Sequence, residues 1–141
     1  MAIKILIVDD SLPMRGVIKK TIKASGYASA EFFEAENGKI ALDILKKIWL
    51  DIVITDYNMP EMNGMELIEA MKQDDAFQSI PVLVVTTEGS HQKVNEFLEK
   101  GAADYIKKPF TPEAIRNKLN TILGGTGNDK KSESSDDGLD F

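Results

Sequence analysis

Two apolar runs in this chain end in carboxylates. Asp9 and Asp10 follow the run over residues 3–8, and Asp56 follows the run over residues 52–55. A buried charge without a partner costs several kcal/mol, and such a group usually becomes neutral instead. Several acids gathered in one place therefore require a cation. Carboxylate oxygens suit a hard cation, and Mg²⁺ is typically held by few carboxylates, several waters and a phosphate oxygen.

The segments that must position these acids alternate between strand and helix patterns. Residues 3–8, 52–55 and 82–86 are rich in β-branched residues and almost continuously apolar, which is typical of central parallel strands. Residues 30–34 and 103–106 carry charges, so we assign them to the sheet edges. A helical apolar stripe follows each strand, formed in order by Met14, Val17, Ile18 and Ile22; Ala41, Ile44, Leu45 and Ile48; Leu67, Ile68 and Met71; Val94, Phe97 and Leu98; and Ile115, Leu119 and Ile122.

The fivefold alternation predicts a doubly wound α/β fold with a five-stranded parallel sheet. The strand order 2-1-3-4-5 follows, as in flavodoxin-like proteins, and ligands bind at the carboxyl ends of strands 1 and 3. Asp9, Asp10 and Asp56 fall at this edge, with Thr86 ending the fourth strand and Lys108 following the fifth. Each residue alone has an ordinary explanation as a turn, cap or strand residue. Together, the lysine and the hydroxyl supply a positive charge and a donor for a phosphate.

Several residues mark the helix boundaries. Asn63, Ser90 and Thr111 are predicted N-caps, because their side chains accept hydrogen bonds from a first helical turn. Gly26 and two later glycines suit helix ends. Trp49 is predicted to be a packing residue rather than a ligand.

Composition excludes several classes of protein. The chain has no cysteine and a single histidine, so disulfides, thiolate nucleophiles and Cys- or His-rich metal sites are excluded. Its net charge of -6 argues against a nucleic-acid partner. No apolar run suits a signal peptide or approaches the roughly 18 residues that span a bilayer. We therefore expect a cytoplasmic protein without a membrane partner.

The length of 141 residues favours one domain. We expect this domain to cover residues 1–123, followed by a flexible acidic tail over residues 124–141. The tail carries half of the net charge, and its Gly, Ser and charged residues cannot bury enough apolar surface to fold alone.

The ordered set of motifs resembles the receiver domain of two-component response regulators, most closely the single-domain chemotaxis regulators that act on the flagellar motor. The similarity covers residues 3 to about 123. It is carried by Val8-Asp9-Asp10-Ser11, Met14-Arg15, Asp56-Tyr57-Asn58-Met59-Pro60, Asn63-Gly64, the stretch from Pro81 to Glu88, and the stretch from Gly101 to Phe110.

The resemblance implies that Asp56 accepts a phosphoryl group from the phosphohistidine of a histidine kinase. It implies that Asp10 and Asp56 ligate Mg²⁺ directly, that Asp9 does so through water, and that Asn58 does so through its backbone carbonyl. Lys108 would pair with a phosphoryl oxygen, and the peptide bond after it would be cis. The protein would not be an enzyme beyond phosphorylating itself from phosphodonors and dephosphorylating itself.

The same resemblance assigns a switch. Thr86 would hydrogen-bond a phosphoryl oxygen and move inward, and the ring of Tyr105 would fill the vacated space. The face made by the fourth helix, fifth strand and fifth helix would then change its affinity for partners. Asn58, Glu88 and the bulky Thr87, which flank the site in the family, are expected to tune the phosphoryl lifetime.

The expected partners of this monomer are a histidine kinase, a flagellar motor-switch protein or other output target, and a phosphatase. A phosphorelay shuttle, which passes the phosphoryl group to another histidine, is the first alternative. A phosphatase of the haloacid dehalogenase type is disfavoured, since Asn58 stands where that family needs an acid. The end of the tail, Asp136 to Phe141, is similar to acidic and apolar partner peptides, which leaves two alternatives for the tail: an inert extension or an intramolecular competitor.

Overall fold

The structure, a computed structural model, describes residues 2–87 and 90–124. In these residues, five strands alternate with five α-helices. One π-helical turn, Lys23–Tyr27, follows the first helix. Glu88 and residues 125–141 of the predicted tail lie outside the described residues. The elements are β1 (Lys4–Val8), α1 (Leu12–Ile22), β2 (Glu31–Ala35), α2 (Gly38–Leu45), β3 (Ile52–Asp56), α3 (Gly64–Lys72), β4 (Val82–Thr86), α4 (His91–Glu99), β5 (Asp104–Lys107) and α5 (Pro112–Leu123).

The strands form one parallel sheet in the order β2-β1-β3-β4-β5. Every residue of β3 and β4 is buried, whereas the edge strands β2 and β5 mix buried and exposed positions. This difference explains why the central runs are continuously apolar and the edge runs carry charges. The predicted fold class and strand order are confirmed.

Side chains that alternate along the strands build a core on each face of the sheet. On one face, Leu6 and Val8 pack with residues of α2, α3 and α4. On the other face, Ile5 and Ile7 pack with residues of α1 and α5. Both faces of β1 are covered, so there is no room for charged side chains along its central residues. The charged pair Asp9 and Asp10 therefore follows the carboxyl end of β1, at the edge of the sheet.

The predicted helix starts are confirmed by their capping bonds. The side chains of Ser90 and Thr111 accept hydrogen bonds from the backbone N–H groups of Lys93 and Ala114. Asn63 forms a reciprocal capping box with Glu66. These caps fix the points at which the chain leaves the sheet edge and enters α3, α4 and α5.

Three apolar side chains lie outside the core, against the pattern of the sequence. Val17 is 56% exposed, Trp49 is 59% exposed, and Leu98 of the predicted stripe on α4 is 43% exposed. The buried stripe of α1 is narrower than predicted and centres on Ile18 and Ile22. Trp49 is therefore not the packing residue that we predicted. No helix in the described ranges has the length and hydropathy to cross a membrane.

Candidate functional site

Three carboxylates meet at the carboxyl ends of β1 and β3. The two strands are paired, with Val8 opposite Thr55, so the residues that follow are brought side by side. One oxygen each from Asp9, Asp10 and Asp56 lies within 4.8 Å of the others. Asp9 and Asp56 are buried and Asp10 is exposed. The sequence prediction that these three acids gather is confirmed.

Backbone groups hold Asp9 on two sides. Its N–H donates to the carbonyl of Ala35 at 3.0 Å, and its Oδ1 accepts from the N–H of Ser11 at 2.8 Å. Its Oδ2 is buried and has no hydrogen-bond partner among the described residues. A buried oxygen without a hydrogen-bond partner is costly and calls for an explanation such as an ion. Together with two further carboxylates, this oxygen fits an oxygen-seeking cation.

Lys108 brings a positive charge to the same place. Its Nζ lies 3.2 Å from Oδ1 of Asp56 and 3.9 Å from Oδ2 of Asp9. Its backbone N–H donates to the carbonyl of Thr86 at 2.8 Å, and the peptide bond to Pro109 is cis, as predicted. The lysine is thus anchored to the end of β4 while its ammonium reaches across to β1 and β3.

The electrostatics of the site show a charge imbalance. Burial raises the pKa of Asp56, and Lys108 opposes that effect. Burial also raises the pKa of Asp9, while the hydrogen bond from the N–H of Ser11 lowers it and the charge of Asp56 raises it further. One ammonium faces three carboxylates, so the site without a cation disfavours its own ionised form.

Asp9→Asn is expected to stabilise the chain in metal-free buffer by about 1–2 kcal/mol at pH 8. The amide still accepts from the Ser11 N–H and adds a donor beside Asp56. Because the folded pKa of Asp9 lies above its unfolded value, the folded state binds more protons between the two values, and stability falls as pH rises through that window. Urea denaturation from pH 4 to 8 should therefore show the gain of the variant shrinking as the pH is lowered.

Asp43→Asn removes an exposed carboxylate on α2 and is the matched control. We expect no gain in stability from it. A loss of stability in Asp9→Asn at pH 8 would contradict the charge imbalance.

A close backbone approach shapes the loop after β3. A Cβ on Gly64 would lie 2.6 Å from the carbonyl oxygen of Asp56, and the Gly64 N–H donates to the carbonyl of Tyr57 at 2.9 Å. Only a glycine fits there without moving the backbone. The loop is thereby closed back onto the end of β3, which fixes the backbone that carries Asp56.

The remaining predicted site residues divide into two groups. Thr86 is buried at the end of β4, opposite Lys107 of β5, and therefore lies at the same edge of the sheet. Asn58, two residues after β3, and Thr87, directly after β4, are exposed. Tyr105 lies in β5 opposite Val84 of β4 and is half-buried beside the core that contains Phe97. The Nζ of Lys118 lies 5.2 Å from the centre of its ring.

Two contacts of the site were not predicted from the sequence. Tyr57 packs against Phe97 of α4, and its hydroxyl accepts a hydrogen bond from the Nζ of Lys93 at 3.0 Å. Arg15 of α1 donates to the backbone carbonyl of Asp9 and to Glu34 of β2. Only the Met14-Arg15 motif hinted at the second contact, without indicating its partners.

Comparisons with known proteins agree with this geometry. Residues 5–120 match the family described as response regulator receiver domain. A chemotaxis protein CheY homolog of Campylobacter jejuni is 43% identical, and the match covers 88% of this chain and 95% of that protein. Chemotaxis protein CheY1 of Helicobacter pylori is also 43% identical, with 86% and 97% covered. The structure of the chemotaxis response regulator CheY4 of Vibrio cholerae superposes with a TM-score of 0.79 at 34% identity, covering 87% of this chain and all of that one.

Proposed function

Because the chain belongs to the response regulator receiver domain family, we propose that it is switched by phosphorylation of Asp56. It is a two-component response regulator whose relatives are chemotaxis proteins, and the process that we assign to it is chemotaxis. The observation that carries the proposed site is the ammonium of Lys108 lying 3.2 Å from a buried Asp56 oxygen, within a cluster of three carboxylates. The family leaves no basis for a haloacid dehalogenase-type phosphatase.

The proposed reaction is a phosphoryl transfer to a carboxylate. An oxygen of Asp56 attacks phosphorus, an O–P bond forms as the P–N bond of a kinase phosphohistidine breaks, and the released imidazole nitrogen takes a proton from solvent. Lys108 stabilises the charge on the transferring oxygens, and positioning supplies the rest of the acceleration. Asp9, Asp10, Asp56 and the backbone carbonyl of Asn58 would hold Mg²⁺, which when bound neutralises phosphoryl charge.

The product is a mixed anhydride that water can cleave. Attack of water on phosphorus releases inorganic phosphate and regenerates the carboxylate of Asp56, so the signal decays without another protein. We propose that the chain also takes its phosphoryl group from small phosphodonors. Asn58 and Thr87, which are exposed beside the site, would regulate the access of water. Glu88 is proposed for the same role from the resemblance alone.

The proposed output is a shift between two conformations of the face formed by α4, β5 and α5. A phosphoryl group on Asp56 would offer an acceptor to the hydroxyl of Thr86, which lies buried at the same sheet edge. Movement of Thr86 would open space for the half-buried ring of Tyr105. Partners that bind one arrangement of this face better than the other then read the signal.

Partner binding separates a motor regulator from a relay shuttle. We expect the phosphorylated chain to bind a motor-switch peptide about 10-fold more tightly than the unphosphorylated chain, in line with typical coupling energies. Fluorescence anisotropy of a labelled peptide measures this ratio. In parallel, the phosphorylated chain is mixed with a histidine phosphotransfer protein. Rapid transfer of the phosphoryl group to that protein, together with unchanged peptide affinity, would contradict a motor regulator and support a phosphorelay shuttle.

The division into a domain over residues 1–123 and an acidic tail over residues 124–141 is also proposed. α5 ends at Leu123, next to this boundary. The same anisotropy titration on a chain ending at residue 123 gives the role of the tail. Equal affinities identify an inert extension, and tighter peptide binding by the shorter chain identifies an intramolecular competitor.

A further inference from the structure

Arg15 joins the edge strand β2 to the acidic loop. Its side chain is 12% exposed, and its Nε donates to Oε1 of Glu34 at 2.8 Å. Its Nη1 donates to the backbone carbonyl of Asp9. That carbonyl belongs to the peptide bond between Asp9 and Asp10, so the planar guanidinium fork fixes the orientation of the link between two carboxylates of the site.

The loop needs this contact because Asp10 has little else to hold it. In residues 2–87 and 90–124, no side-chain hydrogen bond or ion pair holds the carboxylate of Asp10. Asp9 is fixed through its N–H and Oδ1. The bond from the Ser11 N–H spans Asp10 and limits movement of the loop as a whole, but it does not set the orientation of the Asp9–Asp10 peptide plane. The guanidinium of Arg15 opposes rotation of that plane.

Glu34 acts as the anchor of the guanidinium. It lies in β2 opposite Ile7 of β1, two residues before Asp9, and it also pairs with the Nζ of Lys19 at 3.1 Å. Hydrogen bonding from Arg15 is the main reason that the pKa of Glu34 is lowered. The carboxylate therefore stays ionised and keeps Arg15 oriented toward the Asp9 carbonyl.

We propose that Arg15 is a positioning residue for the cation site, acting by orienting the Asp9–Asp10 peptide from an anchor on β2. The proposal rests on the proposed function, since it takes the three carboxylates to be a Mg²⁺ site. Groups that orient metal ligands typically change metal affinity 10–100-fold when removed.

The sign of the effect separates positioning from simple electrostatics. Arg15 is a cation close to a cation site, so its charge alone weakens Mg²⁺ binding, and removing that charge alone should tighten binding. Loss of positioning has the opposite sign. Lys19 provides the matched control, because it pairs with the same Glu34 but has no described bond to Asp9.

The test is calorimetric titration of the full chain with MgCl₂. Arg15→Met is expected to weaken Mg²⁺ binding about 10-fold. Lys19→Met is expected to leave it unchanged or to tighten it up to about 2-fold, as screened surface charges do. Arg15→Lys keeps the charge but loses the fork, so it should resemble Arg15→Met. Glu34→Gln retains Arg15 and loses the anchor, so a smaller weakening is expected.

Equal or tighter Mg²⁺ binding by Arg15→Met would overturn the positioning role, as would full affinity in Arg15→Lys. Urea denaturation establishes that each variant is folded. Should Arg15→Met fail to fold, the decision passes to Arg15→Lys, which leaves the net charge unchanged and removes the fork, and unchanged or tighter Mg²⁺ binding by that variant overturns the proposal. A parent chain that binds no Mg²⁺ refutes the proposed function instead.

Discussion

Asp56→Asn is expected to abolish formation of the phosphoryl adduct. Transfer needs an anionic oxygen that can form an acyl phosphate, and a neutral amide of the same shape has none. The substitution should not disturb the fold. Asp56 is only 8% exposed, and burial raises its pKa, so the site already disfavours the charged form that the substitution removes. Its loss of charge relieves repulsion from Asp9 and Asp10 in the absence of a cation.

Intact mass measurement after incubation with MgCl₂ and acetyl phosphate provides the readout. The parent chain should carry one phosphoryl group, the Asp56→Asn chain none, and the parent chain treated with a chelator none. Asp75→Asn, an exposed carboxylate in the turn after α3, is the control and should behave as the parent. An adduct of parental yield on Asp56→Asn would assign the acceptor to another residue.

The fold was predictable because its signals are local and strongly periodic. Each central run is apolar and rich in β-branched residues, and a polar residue stands at its carboxyl end. Asp9 directly follows β1, and Thr86 is the last residue of β4. Parallel strands align their carboxyl ends, so the topology alone brings the acids together. The caps at Ser90 and Thr111 follow from side-chain chemistry within one turn.

The misses have a different origin. Val17 falls on the apolar stripe of α1 but lies beyond the edge of the buried face, and Trp49 lies in the connection before β3, where periodicity carries no information. Burial at these positions is decided by which neighbouring element covers them. Sequence spacing gives the direction of a side chain from its own helix but not the extent of the partner surface.

The contacts that complete the site could not be predicted from the sequence for a related reason. Arg15 meets Glu34 and Lys93 meets Tyr57 across 19 and 36 residues of chain, respectively. Such pairs depend on the relative placement of whole elements. Gly64 stood out only within the Asn63-Gly64 motif, although its role is to let the loop approach the Asp56 carbonyl. A close backbone approach leaves a glycine in the sequence but does not indicate what approaches it.

Lys108→Met should slow adduct formation by about 100-fold or more, the typical effect of deleting one donor that stabilises transition-state charge. In the described residues, Lys108 is the cation that pairs with both Asp9 and Asp56. Methionine keeps the unbranched shape of the side chain and removes the ammonium, so the geometry of the neighbouring loop is preserved while the charge is lost. The rate is measured by intact mass at saturating MgCl₂ and acetyl phosphate, with the exposed Lys107→Met as the control.

Magnesium affinity distinguishes this chemical role from structural damage. Because the ammonium of Lys108 would compete with a bound divalent cation for the same carboxylates, its removal should tighten Mg²⁺ binding even as phosphorylation slows. A collapsed site would lose both properties together. The metal-free variant should also lose more stability at pH 8 than at pH 5, since burial already raises the pKa of Asp9 and Asp56 and the counter-charge is gone. Weakened Mg²⁺ binding in Lys108→Met would therefore contradict a direct role for its ammonium in the transfer.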